Sequence, residues 1–351
     1  MQLGVYSFGS TARDPENGTV ATTAQATRNL LEAITLAEEV GLDYFGIGEH
    51  HTAEMPASSA ATILAGAATR TRRIRLGSAV TVLSTDDPVR VYQQFATLDA
   101  LSDGRAEITA GRGSSTESFP LFGHDLADYD RLYAEKLDLL LAIDAGDPVT
   151  WSGTTRSPLD HAVIVPRPDR GSLPIWLGTG GNPGSSIRAG RAGLPISYGI
   201  IGGQPARFAA LADLYRRAAE QESVPTEQVR ISVATPGFVG TDGPAARDLW
   251  WTEWNRMMTG IGQQRGFAPP SRQAYDHDTA PGGALFVGSP DEVAERILVL
   301  HGQMGHMRQF FQVDLGHLPQ RDFLRTIELL GTAVKPLVDA ELGPEPAVLP
   351  A

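Results

Sequence analysis

Three short stretches place chemically able side chains at what read as strand ends. Glu49-His50-His51 closes the apolar run Tyr44 to Gly48, Gly111-Arg112-Gly113-Ser114 sets a guanidinium between glycines, and GTGGNPGSS, Gly178 to Ser186, puts glycines ahead of two serines. Successive side chains of an extended strand point to opposite sides, so at most one of the two histidines faces a ligand. An imidazole there can transfer a proton or donate a hydrogen bond near neutral pH. The alternative is that one histidine caps the strand while the other is buried and hydrogen-bonded. Metal chemistry is rejected: no H-E-x-x-H occurs, no H-x-H follows the first strand, and there is no cysteine to supply a thiolate. The histidine is therefore read as a proton donor or hydrogen-bond partner beside an organic cofactor.

Gly178 to Ser186 is the sharpest phosphate candidate. Glycines after a strand let the backbone come close to an anion, and Ser185 and Ser186 open a helix whose amides would face it. The spacing is not that of a P-loop, which needs a lysine after the last glycine. Nor is it a Rossmann fingerprint, because Gly178, Gly180 and Gly184 are one residue too widely spaced and no acid stands at the ribose position. A ligand-free turn is the competing reading. Arg112 favours the phosphate, since a planar guanidinium at a neighbouring strand end could pair with the same anion.

These stretches need a scaffold that brings them to one place. Short β-rich runs are predicted at Leu3 to Phe8, Tyr44 to Gly48, Ile74 to Val82, Ala106 to Ala110, Ile175 to Gly178, Ile196 to Ile200, Arg230 to Val239 and Gln309 to Asp314. Most are separated by amphipathic helical stretches, with apolar faces such as Leu30, Ile34 and Ala37, or Phe323, Ile327 and Leu330. Helix starts are legible at Asp87-Pro88 and at Ser289-Pro290-Asp291-Glu292, the second with capping-box spacing. Eight strands alternating with helices predict an α/β chain, a closed (β/α)8 TIM-type barrel with insertions, whose site lies at the carboxyl ends of its strands. One barrel domain is expected over 1–340, with an inserted hairpin at about 146–173, a lid-like loop at about 259–283 and a polar, Pro-rich tail at 341–351.

Composition narrows the partners. With 42% hydrophobic and 20% charged residues over 351 positions, the chain can bury a large core. A net charge of -12 argues against nucleic acid, whose binding draws on clustered Lys and Arg. No stretch is long and apolar enough to span a bilayer, no secretion signal is evident, and a cytoplasmic location is expected. Trp250 to Trp254, WWTEW, reads as helix packing, and His317 in DLGHLP is only a weak site candidate.

Taken together, Glu49-His50-His51, IRLGSAVTVLSTDDPVRVYQQFATLDALSDGR, the Gly111-Arg112-Gly113 that follows, GLPISYG and VGSPDEVAERI resemble the bacterial luciferase-like monooxygenases, a flavin-dependent superfamily. The resemblance is closest over Met1 to Ile200. It implies a (β/α)8 barrel, usually dimeric, that binds reduced FMN supplied by a separate reductase and uses dioxygen to oxidise a small organic substrate. His50 would lie near the flavin ring, Ala79-Val80 would form the family's non-prolyl cis peptide with Thr81 beside it, and Arg112, Gly113, Gly180, Gly181, Asn182 and Ser185 would hold the phosphate. Gly111 stands where the luciferase catalytic subunit has a reactive cysteine, so no role of that thiol carries over. The alternatives are a deazaflavin-dependent hydride-transfer oxidoreductase on the same barrel and a non-catalytic flavin-binding protein.

Overall fold

The structure is a computed structural model and describes residues 1–113, 115–266 and 268–343. Ser114 of the arginine stretch, Phe267 of the expected lid and 344–351 of the expected tail lie outside the described residues. Eight strands form the barrel: β1 Gln2–Ser7, β2 Tyr44–Ile47, β3 Arg75–Ser78, β4 Ala106–Gly111, β5 Ile175–Thr179, β6 Ile196–Gly199, β7 Ile231–Val239 and β8 Arg308–Gln312. Every neighbour in the series pairs in parallel, and β8 pairs with β1 from Gln2↔Arg308 to Tyr6↔Gln312, which closes the ring. The chain is thus a (β/α)8 barrel of the TIM type, and its eight strands fall where the sequence predicts them, with ends shifted by a residue or two except in the third, which stops four residues early at Ser78.

Closure explains the strand composition. β1 to β4 are buried at every residue, as parallel strands covered by helices on one side and packed side chains on the other must be. Among the helices that supply the outer cover are α1 Thr23–Glu39, α2 Ala60–Ala68, α3 Pro88–Leu101, α4 Tyr129–Ala145 and α5 Pro183–Arg191. In α1 the buried stripe is Ala26, Leu30, Ala33, Ile34 and Ala37, and in α3 it includes Val91, Phe95 and Leu98. Asp87 caps α3, accepting from the amides of Val89 and Arg90, and Ser289 with Glu292 forms a complete capping box on the helix Pro290–Met304.

At the amino-terminal end of the barrel, opposite the candidate site, a buried charge network ties four strands together. Arg308 donates to both oxygens of Glu107, at 2.7 and 3.1 Å, and to Gln2 at 2.8 Å, while Arg75 also pairs with Glu107. Burial alone would raise the Glu107 carboxyl, but the two guanidinium groups bring it down to about 2. Removing one partner of such a buried pair costs about 3–5 kcal/mol, so this end reads as a structural fastening.

Four local features differ from the expectations. The predicted third strand does not run unbroken to Val82: β3 ends at Ser78, a cis peptide joins Ala79 to Val80, and Thr81–Val82 then pairs separately with β4. A three-residue strand, Phe286–Gly288, extends the sheet along the far half of β7. The expected loop at 259–283 is largely helical, because the helix Gly243–Arg265 runs into it and Arg272–Thr279 forms another, held by ion pairs of Arg272 with Asp248 and Asp276. The helix Lys335–Leu342, anchored by Val338 in the core, carries regular structure two residues into the expected tail. Between α4 and β5 lies an antiparallel hairpin, Val149–Trp151 with Leu159–Ala162. Trp250 and Trp254 stack at 5.3 Å, and the Trp250 indole donates to the Val313 carbonyl, so WWTEW is packing.

Candidate active site

The carboxyl ends of β2, β3, β4 and β5 are consecutive around the ring, so the three chemical stretches open on one sector of the mouth. At the end of β2 the backbone is crowded. A Cβ at Gly48 would lie 2.7 Å from the Ala79 carbonyl oxygen and collide with the Phe8 ring, so only glycine lets these strand ends come so close. The chain then delivers Glu49, His50 and His51 in succession, and the two imidazoles diverge. His50, 6% exposed, places Nδ1 2.6 Å from Glu117 Oε1 and sits edge-on to Phe8 with centroids 4.4 Å apart. His51 donates from Nε2 to Glu49 at 3.0 Å and meets the Phe122 ring at 5.2 Å. Glu49 in turn accepts from the Val82 amide at 3.1 Å, tying the end of β2 to Thr81–Val82. Burial pushes the Glu49 carboxyl up, against the hydrogen bonds from His51 and Val82.

Beside them the cis peptide Ala79-Val80 aims the Val80 side chain at two glycines. A Cβ on Gly111 would lie 2.9 Å from Val80 Cβ, and one on Gly178 would lie 2.9 Å from Val80 Cγ1. Val80 therefore fills the volume that side chains at those two positions would need. Thr81 is buried and pairs with Ala110.

Arg112 leaves the end of β4 and crosses to the start of α5. Its Nη2 donates to Ser185 Oγ at 2.9 Å, and its Nη1 donates to Asp130 Oδ1 at 2.7 Å. The guanidinium lies near the Tyr129 and Tyr133 rings, 5.8 and 5.6 Å from their centroids. Both phenols hold the backbone from which the arginine springs: Tyr129 donates to the Gly113 carbonyl at 2.6 Å and Tyr133 to that of Ala110 at 3.1 Å. Gly113 has φ +81°, which favours glycine.

The turn into α5 is organised from within. Thr179 Oγ1 accepts from the amides of Gly181 at 3.3 Å and Asn182 at 3.2 Å, and Gly180 precedes them. Asn182 caps α5 by accepting from the Ser185 amide at 3.2 Å, while the buried Ser186 hydroxyl lies 2.9 Å from the Tyr198 hydroxyl. Three amides that the sequence assigns to an anion are thus engaged by Thr179 and Asn182. What the structure does bring together is the Arg112 guanidinium, the Ser185 hydroxyl and the positive end of α5.

That donor set fits a terminal phosphate. A guanidinium and a hydroxyl at a helix N-terminus are the groups such an anion takes, and an anion, the Asp130 carboxylate, already holds one guanidinium nitrogen. Asp130 is 83% exposed, whereas the Arg112 side chain is 23% exposed, so the carboxylate comes in from solvent.

Glu117, Asp130, Tyr129, Tyr133 and Thr179 are site residues that the sequence reading does not single out. The Tyr129 and Tyr133 spacing, i and i+4 on one helix face shortly after a strand-end arginine, is a usable signal for the ring pair. His317 donates from Nδ1 to the Thr11 carbonyl at 2.7 Å and takes its place among contacts between the loops after β1 and β8.

A closed (β/α)8 barrel with an imidazole, a non-prolyl cis peptide and an anion-holding arginine at adjacent strand ends has the outline of a cofactor-dependent oxidoreductase. The model of the luciferase-like monooxygenase family matches residues 1–307, and the chain belongs to that family. It is 29% identical over 304 residues to the N-acetyl-S-alkylcysteine monooxygenase of Bacillus subtilis, covering 82% of this chain and 86% of that one. It is 37% identical over 177 residues to the F420-dependent glucose-6-phosphate dehydrogenase of Beutenbergia cavernae, covering 48% and 51%. In fold it is similar to the oxygenating constituent of the 3,6-diketocamphane monooxygenase of Pseudomonas putida in complex with FMN, with a TM-score of 0.74, 19% identity and coverage of 96% and 98%. No helix among the described residues is long and apolar enough to cross a membrane.

Proposed function

We propose that this chain is a monooxygenase that uses reduced FMN and dioxygen to oxidise a small organic substrate. The observation that carries this reading is the meeting of Arg112 with Ser185 at the start of α5, beside the Ala79-Val80 cis peptide and two strand ends away from His50. When bound, reduced FMN supplies the electrons that activate dioxygen. Arg112, Ser185 and the Asn182 cap would hold the phosphate, with Gly113 shaping the backbone behind the arginine and Gly180-Gly181 letting the chain approach. Ala79, Val80 and Thr81 would support the ring. His50 would move a proton at the reacting group, and the segment carrying Glu117 and Phe122 would keep water from it. The flavin would arrive reduced from a separate reductase, the chain would act as a homodimer, and its location would be cytoplasmic.

The similarity to an F420-dependent dehydrogenase over half of the chain favours one second reading, hydride transfer with a deazaflavin on the same barrel. Titrating the purified protein with FMN and with the deazaflavin cofactor, and following fluorescence, separates the two. Tighter binding of FMN, with oxygen-dependent consumption of its reduced form, is the expected result. Saturation by the deazaflavin alone would overturn the FMN reading.

A further inference from the structure

We propose that Glu117 is a positioning residue: it fixes His50 as the Nδ1–H tautomer, so that Nε2 is the nitrogen that accepts a proton from a bound reactant. A neutral imidazole carries its proton on one nitrogen only, and the partner of the other decides which. Here Nδ1 lies 2.6 Å from Glu117 Oε1, a short charge-assisted distance, and an ionised carboxylate can only accept. Burial alone would raise the Glu117 carboxyl, but chiefly the hydrogen bond from His50 brings it down to about 2, so it is ionised across the working range. His51 engages Glu49 instead, and the Phe8 ring backs the His50 ring edge-on at 74°. The arrangement follows the general logic of a base oriented by a third group.

Glu117 comes from the segment after β4, five residues beyond Arg112 and 67 residues from His50. The chain that delivers the proposed phosphate anchor therefore also orients the proposed base. In the step implied, one proton passes from the reacting group to Nε2, no electrons change hands at the imidazole, and the Glu117 carboxylate balances the imidazolium until the proton leaves. The role in turnover rests on the flavin-dependent reading; the tautomer assignment does not.

Two measurements test it. Nitrogen-15 NMR of labelled histidine in the ligand-free protein, read from the signals of the neutral ring, should report Nδ1–H for His50 in the wild type and in Glu117→Gln, whose amide oxygen still accepts. Glu117→Ala should move the ring toward Nε2–H. An Nε2–H ring in the wild type, or no change in Glu117→Ala, would overturn the assignment whatever cofactor the protein uses. In single-turnover reoxidation of protein-bound reduced FMN by dioxygen, Glu117→Ala should slow the reaction about tenfold or more with unchanged FMN affinity, and should have no further effect on top of His50→Ala. Equal slowing in both backgrounds would make Glu117 a fastening of the segment and not a positioning residue.

Discussion

Arg112 and Ser185 lie 73 residues apart in sequence, yet the guanidinium donates to the hydroxyl at 2.9 Å across the gap between the end of β4 and the start of α5. In the proposed reading the two residues act on one phosphate together. A helix N-terminus whose Ser185 amide is already capped by Asn182 has less to offer an anion on its own. The barrel brings them together by placing β4 and β5 side by side, with Tyr129 and Tyr133 bracing the arginine from α4.

Asp130 would compete with the proposed phosphate for Arg112. Its carboxylate occupies Nη1 and adds a negative charge beside the proposed phosphate, so Asp130→Ala should bind FMN more tightly than the wild type, by a larger factor at low salt than at high salt. Fluorescence titration at two ionic strengths checks both the direction and the salt dependence.

At Gly111 a side chain would displace Val80, since a Cβ there would lie 2.9 Å from Val80 Cβ. Gly111→Ala should therefore lower stability by about 1–3 kcal/mol in a urea titration and weaken flavin binding at the same time. Gly178→Ala, which meets the other methyl of Val80, should do the same.

Asp314, just past β8, accepts from the Ser7 hydroxyl at 2.5 Å and from the Ser10 amide at 3.1 Å. Burial pushes its carboxyl from 3.8 up to about 7, the hydrogen bonds from Ser7 and Ser10 only partly opposing it. The folded chain thus keeps a proton that the unfolded chain has lost across that interval. The stability this group contributes is fully present below about 3.8 and is lost as pH rises through about 7. Thermal unfolding of the wild type and Asp314→Asn across this range should show the wild type losing stability with rising pH relative to the variant. Parallel curves would contradict the assignment.

Much of this could be read in the sequence, and what could not has physical causes. The barrel strands were legible because fully buried parallel strands are continuous apolar runs bounded by glycines, and Tyr44 to Gly48 is one of them. Phe286–Gly288 was not, because three residues that pair only with Gly237–Val239 carry too short a pattern. The helix Arg272–Thr279 lacks an apolar stripe and is held instead by the Arg272 ion pairs, which no periodicity reveals. Arg112 and Ser185 could be nominated separately, since each follows a strand with glycines around it. Glu117 could not: it becomes a partner of His50 only when the segment after β4 folds back over the end of β2. That the side chains of Thr179 and Asn182 accept from three amides of the glycine turn was hidden for a related reason, because spacing alone does not show which acceptor an amide meets.

The phosphate anchor is tested most directly by comparing FMN with riboflavin, which is the same ring system without the phosphate, in the wild type and in Arg112→Ala. The wild type should bind FMN more tightly than riboflavin, and Arg112→Ala should lose roughly ten- to a hundredfold in FMN affinity, the range of a charge-assisted hydrogen bond, while its riboflavin affinity stays near that of the wild type. Equal FMN affinity in the two proteins, or a loss of the same size for riboflavin, would contradict the anchoring of the flavin through Arg112.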